Sequence, residues 1–337
     1  MSAVAAGSDT GVVLVMGDYD DERCGVGTSE ATTAADAPGR VHVVDPSSGS
    51  LRSFRRAIRR AKPASGAVVA YPTVQTFERL SLLPRLGLLR AHFRGDRWLR
   101  VHLHEFEQLR RRHRLAVAVL SGLVADRVVV SSSWEADGLR DRYRGWGGRR
   151  GVVVVPPANR LAPSLAPAIR EPPESGRTVG VIGQLRPDKG EGWLLEQLGR
   201  LDPRYSRVEV VGRDWDLDRW PEALRQRYEL VVHGQVPGPA VADVLARWDL
   251  AIAPYEGQPH DGRLSLRTPL AHGVPTLTRG PRPDHLQLHP AHLLFDDELD
   301  IGRLADVPRA VRVEGAAEVA ALEVRWRGAL ADALFGP

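Results

Sequence analysis

Short apolar runs recur along this chain, each closed by turn residues. In the first half they are Val12–Met16, Val41–Asp45, Ala67–Tyr71, Leu99–Leu103, Arg127–Ser131 and Val152–Pro156. In the second half they are Thr178–Ile182, Val208–Val211, Leu230–His233, Leu250–Ala253, Thr276–Thr278 and His292–Phe295. Segments such as Trp193–Leu201 and Ala240–Trp248 lie between them and carry apolar residues at helical spacing. Apolar runs that alternate with helices read as buried parallel strands, because helices cover both faces of such a sheet. The pattern therefore predicts an α/β fold of two Rossmann-like, doubly wound domains facing a cleft.

The break between the halves is legible too. Pro156-Pro157-Ala158-Asn159 follows the sixth run, and the Pro-rich stretch Ala162–Gly176 has no apolar period. We expect a first domain over 1–160, a linker over 161–176 and a second domain over 177–314. Residues 315–337 are expected to form a terminal helical pair, Glu318–Leu322 and Trp326–Leu334. The cleft between two such domains is a natural ligand site.

Composition narrows the class. At 337 residues the chain suits two domains, and 43% hydrophobic with 26% charged residues is ordinary for a soluble globular protein. The net charge of +4 is too small to point to nucleic acid, and it suits a ligand that carries a diphosphate. The single cysteine, Cys24, rules out an intrachain disulfide and fits a reducing compartment. It is read as an incidental residue. No apolar run approaches the roughly 18 residues of a membrane span. Residues 1–10 lack the basic and apolar regions of a signal peptide, so a cytoplasmic protein is expected. A two-lobed periplasmic binding protein, which needs that signal, is disfavoured.

Several constellations carry chemistry. Val179–Gly190 runs from an apolar strand into a Gly turn, then Arg186 and Lys189, then a helix start. A helix N-terminus beside two cations is a receptor for a diphosphate. Asp214, Asp216 and Asp218 alternate, but Arg219 stands where a calcium loop needs Gly, so a polar loop is expected. Strand alternation puts His102 and His104 on one face at the end of the fourth run, with Glu105 following. No third ligand accompanies them as a metal pair. Pro254–Gly280 places an acidic Gly loop, a short polar stretch and Ala271-His272-Gly273-Val274-Pro275 between two apolar runs. Strand, loop, helix and strand in that order build a nucleotide site at the carboxyl ends of strands. Pro269 sits best in a first helical turn, so a late, short helix is expected there.

These motifs resemble GT-B glycosyltransferases, family 4-like, in a divergent bacterial subgroup, most strongly over Thr178–Arg279. Gly183–Gly190 is similar to the family's G-R-L-x-x-x-K-G. Lys189 takes the Lys position, Gln184 stands in place of Arg, and Arg186 is its candidate replacement. Val208–Gly212 is similar to a strand ending in V-G-x-G, with Arg213-Asp214-Trp215 narrowing the pocket. Val232-His233-Gly234-Gln235-Val236 is similar to the loop whose backbone meets the nucleotide base. Pro254–Pro275 resembles the donor-sugar loop E-G-F-G-L-P-x-x-E-A-M-A-x-G-x-P. Counting eight positions from Glu256 gives Leu264, and counting back from Ala271–Pro275 puts the glutamates on Thr268 and His260. The glutamate pair is therefore replaced. The subgroup's D-G-x-S…L-A-H-G-x-P directs attention to Asp261, Gly262, Arg263, Leu264 and Ser265, with Ser265 or Thr268 for a hydroxyl contact. Gly25-Val26-Gly27-Thr28 resembles the Gly-rich first loop that faces acceptor and donor phosphates. His104, with Glu105 after it, matches the strand-end His that reaches the donor sugar. The resemblance also implies that the C-terminal segment 315–337 packs back on the first domain.

The resemblance implies a retaining, metal-independent transferase that uses a nucleotide-sugar, UDP- or GDP-linked, as co-substrate with no further cofactor. Lys189 and Arg186 would neutralise the leaving diphosphate, the usual dominant effect in such catalysis. His104, Asp261 and the Gly262 backbone would position the sugar. The donor phosphate itself would take the acceptor proton, and domain closure would exclude water. A nucleotide-sugar epimerase, a phosphorylase and a catalytically silent partner subunit share the architecture. Arg52, Arg55, Arg56, Arg59 and Arg60 fall on one helical face, and Arg110–Arg114 form a second basic stretch. Leu80–Phe93 is amphipathic. Solvated faces, with at most a weak membrane-surface contact, are expected there.

Overall fold

The protein is described here from a computed structural model. It describes residues 11–15, 25–37, 39–44, 51–61, 64–71, 82–93, 97–103, 125–142, 151–159, 161, 167, 169–184, 189–213, 215–255, 257–304 and 306–336. Residues 1–158 with 326–337 form one compact unit, and residues 159–325 form the other.

The first unit runs β1 (Gly11–Val15), α1 (Gly25–Ala35), β2 (Val41–Val44), α2 (Leu51–Arg60), β3 (Ala64–Tyr71) and α3 (Leu82–His92). It continues with β4 (Trp98–Leu103), β5 (Arg127–Val130), α4 (Ser133–Arg142) and β6 (Val152–Val154). Its sheet has the order β2-β1-β3-β4-β5-β6, parallel throughout. Side chains alternate between two cores. Val13 and Val15 pack with Phe54 and Ile58 of α2, while Val12 and Leu14 face the other side with Val68 and Val129.

The second unit runs β7 (Arg177–Ile182), α5 (Glu191–Arg200), β8 (Tyr205–Val211), α6 (Glu222–Arg227), β9 (Glu229–Gly234) and α7 (Gly238–Leu245). It goes on with β10 (Leu250–Ala253), α8 (Leu264–Ala271), β11 (Thr276–Thr278) and β12 (Leu293–Phe295). The sheet order is β12-β11-β10-β7-β8-β9, again all parallel. The order reverses between β7 and β10, which is where open α/β sheets bind ligands. Gly180 in β7 is required by packing: a Cβ there would lie 1.8 Å from the buried Trp248 ring.

All twelve expected strands are present, within a few residues of their expected bounds. The C-terminal segment differs from expectation. It is one 27-residue helix, α9 (Arg309–Phe335), not a pair. Glu323, in the gap between the two expected helices, is buried and ion-paired with Arg267, and the helix continues through it. The last turns of α9 complete the first unit. Leu330, Ala333, Leu334 and Phe335 pack against Val12, Leu14, Val68 and Val129. Arg100 of β4 donates to the Asp332 and Ala333 carbonyls at 3.2 Å, and that of Ala333 is one that a helix end leaves open.

Of the Pro-rich stretch, the described part is pinned to the second unit. Arg170 donates to the carbonyls of Ala246 and Arg247 and pairs with Asp249 at 2.8 Å. The Ile169 carbonyl accepts from Arg309 at 2.8 Å.

Candidate functional site

Three adjacent strands of the second sheet end in glycines of positive φ: Gly183 after β7 (124°), Gly212 after β8 (138°) and Gly234 closing β9 (64°). The Gly183 amide donates to the Val211 carbonyl and the Gly212 amide to the Gly234 carbonyl, each at 2.8 Å. A Cβ on Gly212 would fall 1.9 Å from the Gly183 carbonyl oxygen. The carboxyl edge is thus a rim of bare backbone that a ligand can approach closely. Trp215 partly covers it, its indole N–H donating to the Gly183 carbonyl at 2.9 Å.

Behind the rim, Gly190 caps α5 with φ 80°. A Cβ there would meet the Tyr255 backbone nitrogen at 2.8 Å, so only glycine lets the helix N-terminus close on the end of β10. Lys189 stands immediately before this cap, and the half-buried Gln184 follows Gly183. α5 is held in place by Trp193, whose indole N–H donates to Asp296 at 2.7 Å; Asp296 also accepts the Gly280 amide at 2.6 Å. The first amides of a helix, with its positive dipole end, favour an anion.

The loop after β10 brings more positive charge. Tyr255 is buried, its hydroxyl bonded to Ser265 Oγ at 2.6 Å, and burial pushes that hydroxyl's pKa up to about 12. The Arg263 guanidinium lies 5.0 Å from the centre of its ring. His260 is buried, and its Nδ1 accepts the Gly262 amide at 3.2 Å. Burial holds its pKa well below the usual histidine range, and Arg263, His285, Lys189 and Arg267 add to the effect. His260 is therefore a neutral ring among cations.

Several expected site residues make contacts within the protein. The Asp261 carboxylate accepts the Gln287 amide at 2.9 Å and the Leu288 amide at 3.2 Å, so it clamps the loop after β11; burial raises its pKa. Expected to hold the sugar, it is committed to backbone. Thr268 donates to Asn159 at 3.4 Å, and Asn159 donates to Glu323 at 3.2 Å. Arg267, fully buried, grips Glu323 through Nε at 2.8 Å and donates to the Asp261 carbonyl at 3.0 Å. Ser265 is engaged by Tyr255, Leu264 opens α8, and the Gly262 amide turns inward to His260. His233 bonds the buried Glu209 at 2.9 Å, and Arg247 also pairs with that carboxylate, which draws its pKa down.

The Ala271–Pro275 motif is a helix stop. The Gly273 amide donates to the Leu270 carbonyl at 2.9 Å and the Val274 amide to that of Pro269 at 3.0 Å, with Gly273 at φ 70°. That is a Schellman cap, which requires glycine at its left-handed position. Pro269 lies in the second turn of α8, not the first: the helix begins at Leu264, earlier than expected.

In the first unit, Gly25, Gly27 and Thr28 form the first turn of α1 where a Gly-rich loop was expected. His102 is buried in β4. The α2 face of Arg52, Arg55, Arg56, Arg59 and Arg60 is exposed, opposite the buried Phe54 and Ile58. His104, Glu105, Arg110–Arg114, Arg186, Asp214, Glu256 and Cys24 lie outside the described residues. Among the described residues no three His, Cys, Asp or Glu gather to hold a metal ion, and no helix is long and apolar enough to cross a membrane. Tyr255 and His285 were not foreseen as parts of this edge, whereas Trp215 was expected to narrow the pocket and does sit on the Gly183 carbonyl. Only the apolar end of β10 hinted at Tyr255.

The architecture is the GT-B fold, matched over nearly the whole chain by solved glycosyltransferases. An alpha-glucosyltransferase in complex with UDP-glucose and DNA containing an abasic site superposes with a TM-score of 0.63 at 12% identity, over 97% of this chain and 95% of that one. Sucrose-phosphate synthase from Thermosynechococcus elongatus gives 0.59 at 13%, over 97% and 95%. WaaG, a glycosyltransferase involved in lipopolysaccharide biosynthesis, gives 0.58 at 14%, over 97% and 100%. At such identities the likeness is one of fold. No protein-family model matches the sequence, and no curated protein matches it in sequence.

Proposed function

We propose that this chain is a glycosyltransferase that moves a sugar from a nucleotide-activated donor, with UDP or GDP as the carrier, to a small-molecule or glycan acceptor. The observation that carries the reading is the carboxyl edge of the second sheet. There a bare glycine rim, the N-terminus of α5 and Lys189 meet at the switch point between β7 and β10. This arrangement suits a diphosphate, whose charge grows as the glycosidic bond to the sugar breaks. Lys189 and the first amides of α5 stabilise that charge without moving, which is where electrostatic catalysis gains most. We assign no catalytic base to the described residues. By the family resemblance, the reading is a retaining, family 4-like reaction in which the leaving phosphate takes the acceptor proton.

The test is release of nucleoside diphosphate from a panel of UDP- and GDP-sugars. Turnover of at least one donor is expected, and Lys189→Ala is expected to lower kcat/KM by about 10²–10³ while leaving the unfolding transition in place. Wild-type turnover in Lys189→Ala would sink the reading.

One observation favours a second reading, a nucleotide-sugar-binding partner subunit without transfer. Asp261 and Thr268, at the positions that would face the sugar, are engaged by the protein itself. Donor binding with no release of diphosphate for any acceptor would select that reading.

A further inference from the structure

The signature that residues 183–190 resemble carries two cations, and Gln184 occupies the place of one. We propose that Arg263, from the loop after β10, supplies the second cation of the diphosphate site. This rests on the donor-site reading above and assigns a residue to its missing charge.

Arg263 is half-buried, yet among the described residues its guanidinium has no carboxylate partner and no hydrogen-bond acceptor. Its Nε is shielded from water and unpaired. Every other half-buried or buried arginine of this loop and its surroundings is engaged. Arg267 has Glu323 and the Asp261 carbonyl, and Arg312 donates to the Gly273 carbonyl at 2.9 Å. A cation withdrawn from water without a counter-charge is unfavourable unless a ligand supplies the charge.

Its position is fixed by a short chain of contacts. The Tyr255 hydroxyl is bonded to Ser265, so the ring is rigid, and the guanidinium rests on that ring at 5.0 Å. The backbone of the same Tyr255 abuts Gly190 at the N-terminus of α5, one residue after Lys189. Tyr255 thus couples the two cationic groups of the edge, one on the β7 side and one on the β10 side. Both are near enough to His260 to add to the burial that lowers its pKa. A planar guanidinium held this way presents its outer N–H groups as a fork, the geometry that binds two phosphate oxygens together. A nucleoside monophosphate has one phosphate to place between two cations, whereas a diphosphate engages both.

The experiment is thermal-shift titration of the full chain with UDP, GDP, ADP and TDP, each beside its monophosphate. Wild type is expected to bind at least one diphosphate more tightly than its monophosphate. Arg263→Gln is expected to weaken the diphosphate about tenfold or more and to leave the monophosphate within about threefold. Arg263→Lys should fall between them, because it keeps the charge and loses the fork. Without ligand, Arg263→Gln should melt close to wild type, since it loses no hydrogen bond or ion pair of the guanidinium among the described residues and only the contact with the Tyr255 ring. If wild type binds a diphosphate and Arg263→Gln binds it equally well, the assignment of Arg263 is overturned and the donor site stands. If wild type responds to none of the four diphosphates, the donor-site reading falls and the assignment with it.

Discussion

Asp261 shows how a side chain's neighbours decide its task. An Asp beside a Gly in a loop is equally suited to holding a sugar hydroxyl and to tying down a second loop, and its sequence context is the same in both cases. Residues 287 and 288 arrive through the tertiary fold, so the clamp could not be seen in the sequence. The glycines of the rim were legible, because a Gly closing an apolar run marks a turn of positive φ. Histidine burial makes a prediction at this scale. His292 is fully buried, donates to the Leu270 carbonyl at 3.0 Å, and has its pKa lowered to about 4 by desolvation. Above about pH 6.5 it is neutral in both folded and unfolded chains. As pH falls from there to about 4, the unfolded chain takes up a proton that the folded chain refuses, so stability is lost across that window. The loss from this residue amounts to roughly 3 kcal/mol at the bottom of it. Melting curves of wild type and His292→Asn between pH 7 and 4.5 should converge as pH falls, with the variant showing the flatter dependence. Parallel slopes would contradict this.

At the scale of elements, the strands were read correctly and the helix ends less so. Parallel strands covered on both faces are apolar at every position, which leaves a plain trace in the sequence. Helix ends depend on capping geometry. Ala271–Pro275 was read for its likeness to a donor loop, and its local physics is a Schellman stop for α8. The expected break in α9 failed for a related reason: the burial of Glu323 against Arg267 is a tertiary contact that local pattern does not carry. That partner gives a prediction. Glu323 and Arg267 join α9 to α8 as a buried pair, with Asn159 on the same carboxylate. Glu323→Leu or Arg267→Met alone should cost about 3–5 kcal/mol, because each strands a buried charge. The double variant should cost less than either single change. Urea unfolding of the three variants in a double-mutant cycle measures the coupling, and simple additivity would refute it.

At the scale of the whole molecule, the two six-stranded parallel sheets were legible from the repeated strand–helix rhythm. Strand order was not. Nothing in the apolar runs says that β10 lies beside β7, and it is that adjacency which sets Tyr255 and Arg263 next to the start of α5. The C-terminal turns of α9 are the second feature hidden from local pattern, since their apolar residues match any amphipathic helix. Leu330, Leu334 and Phe335 are each nearly or fully buried, and burying one such side chain stabilises by about 1.5–3 kcal/mol. Together they approach the entire stability of a small domain. Deleting residues 326–337 should therefore abolish hydrogen-exchange protection in β1 and β3 while β7 and β8 keep theirs. Equal protection of both sheets in the shortened chain would argue against this.

The same helix has a consequence for the order of events during synthesis. The strands of the first sheet are translated early, but one of its two faces waits for residues near 330. The second unit, made in between, has all its strands available before the first unit can be finished. On a growing chain the part made first is completed last, and its open face is carried exposed through most of translation. Stalled or slowed synthesis late in the message is then the condition under which the first unit would be most prone to stick to other chains.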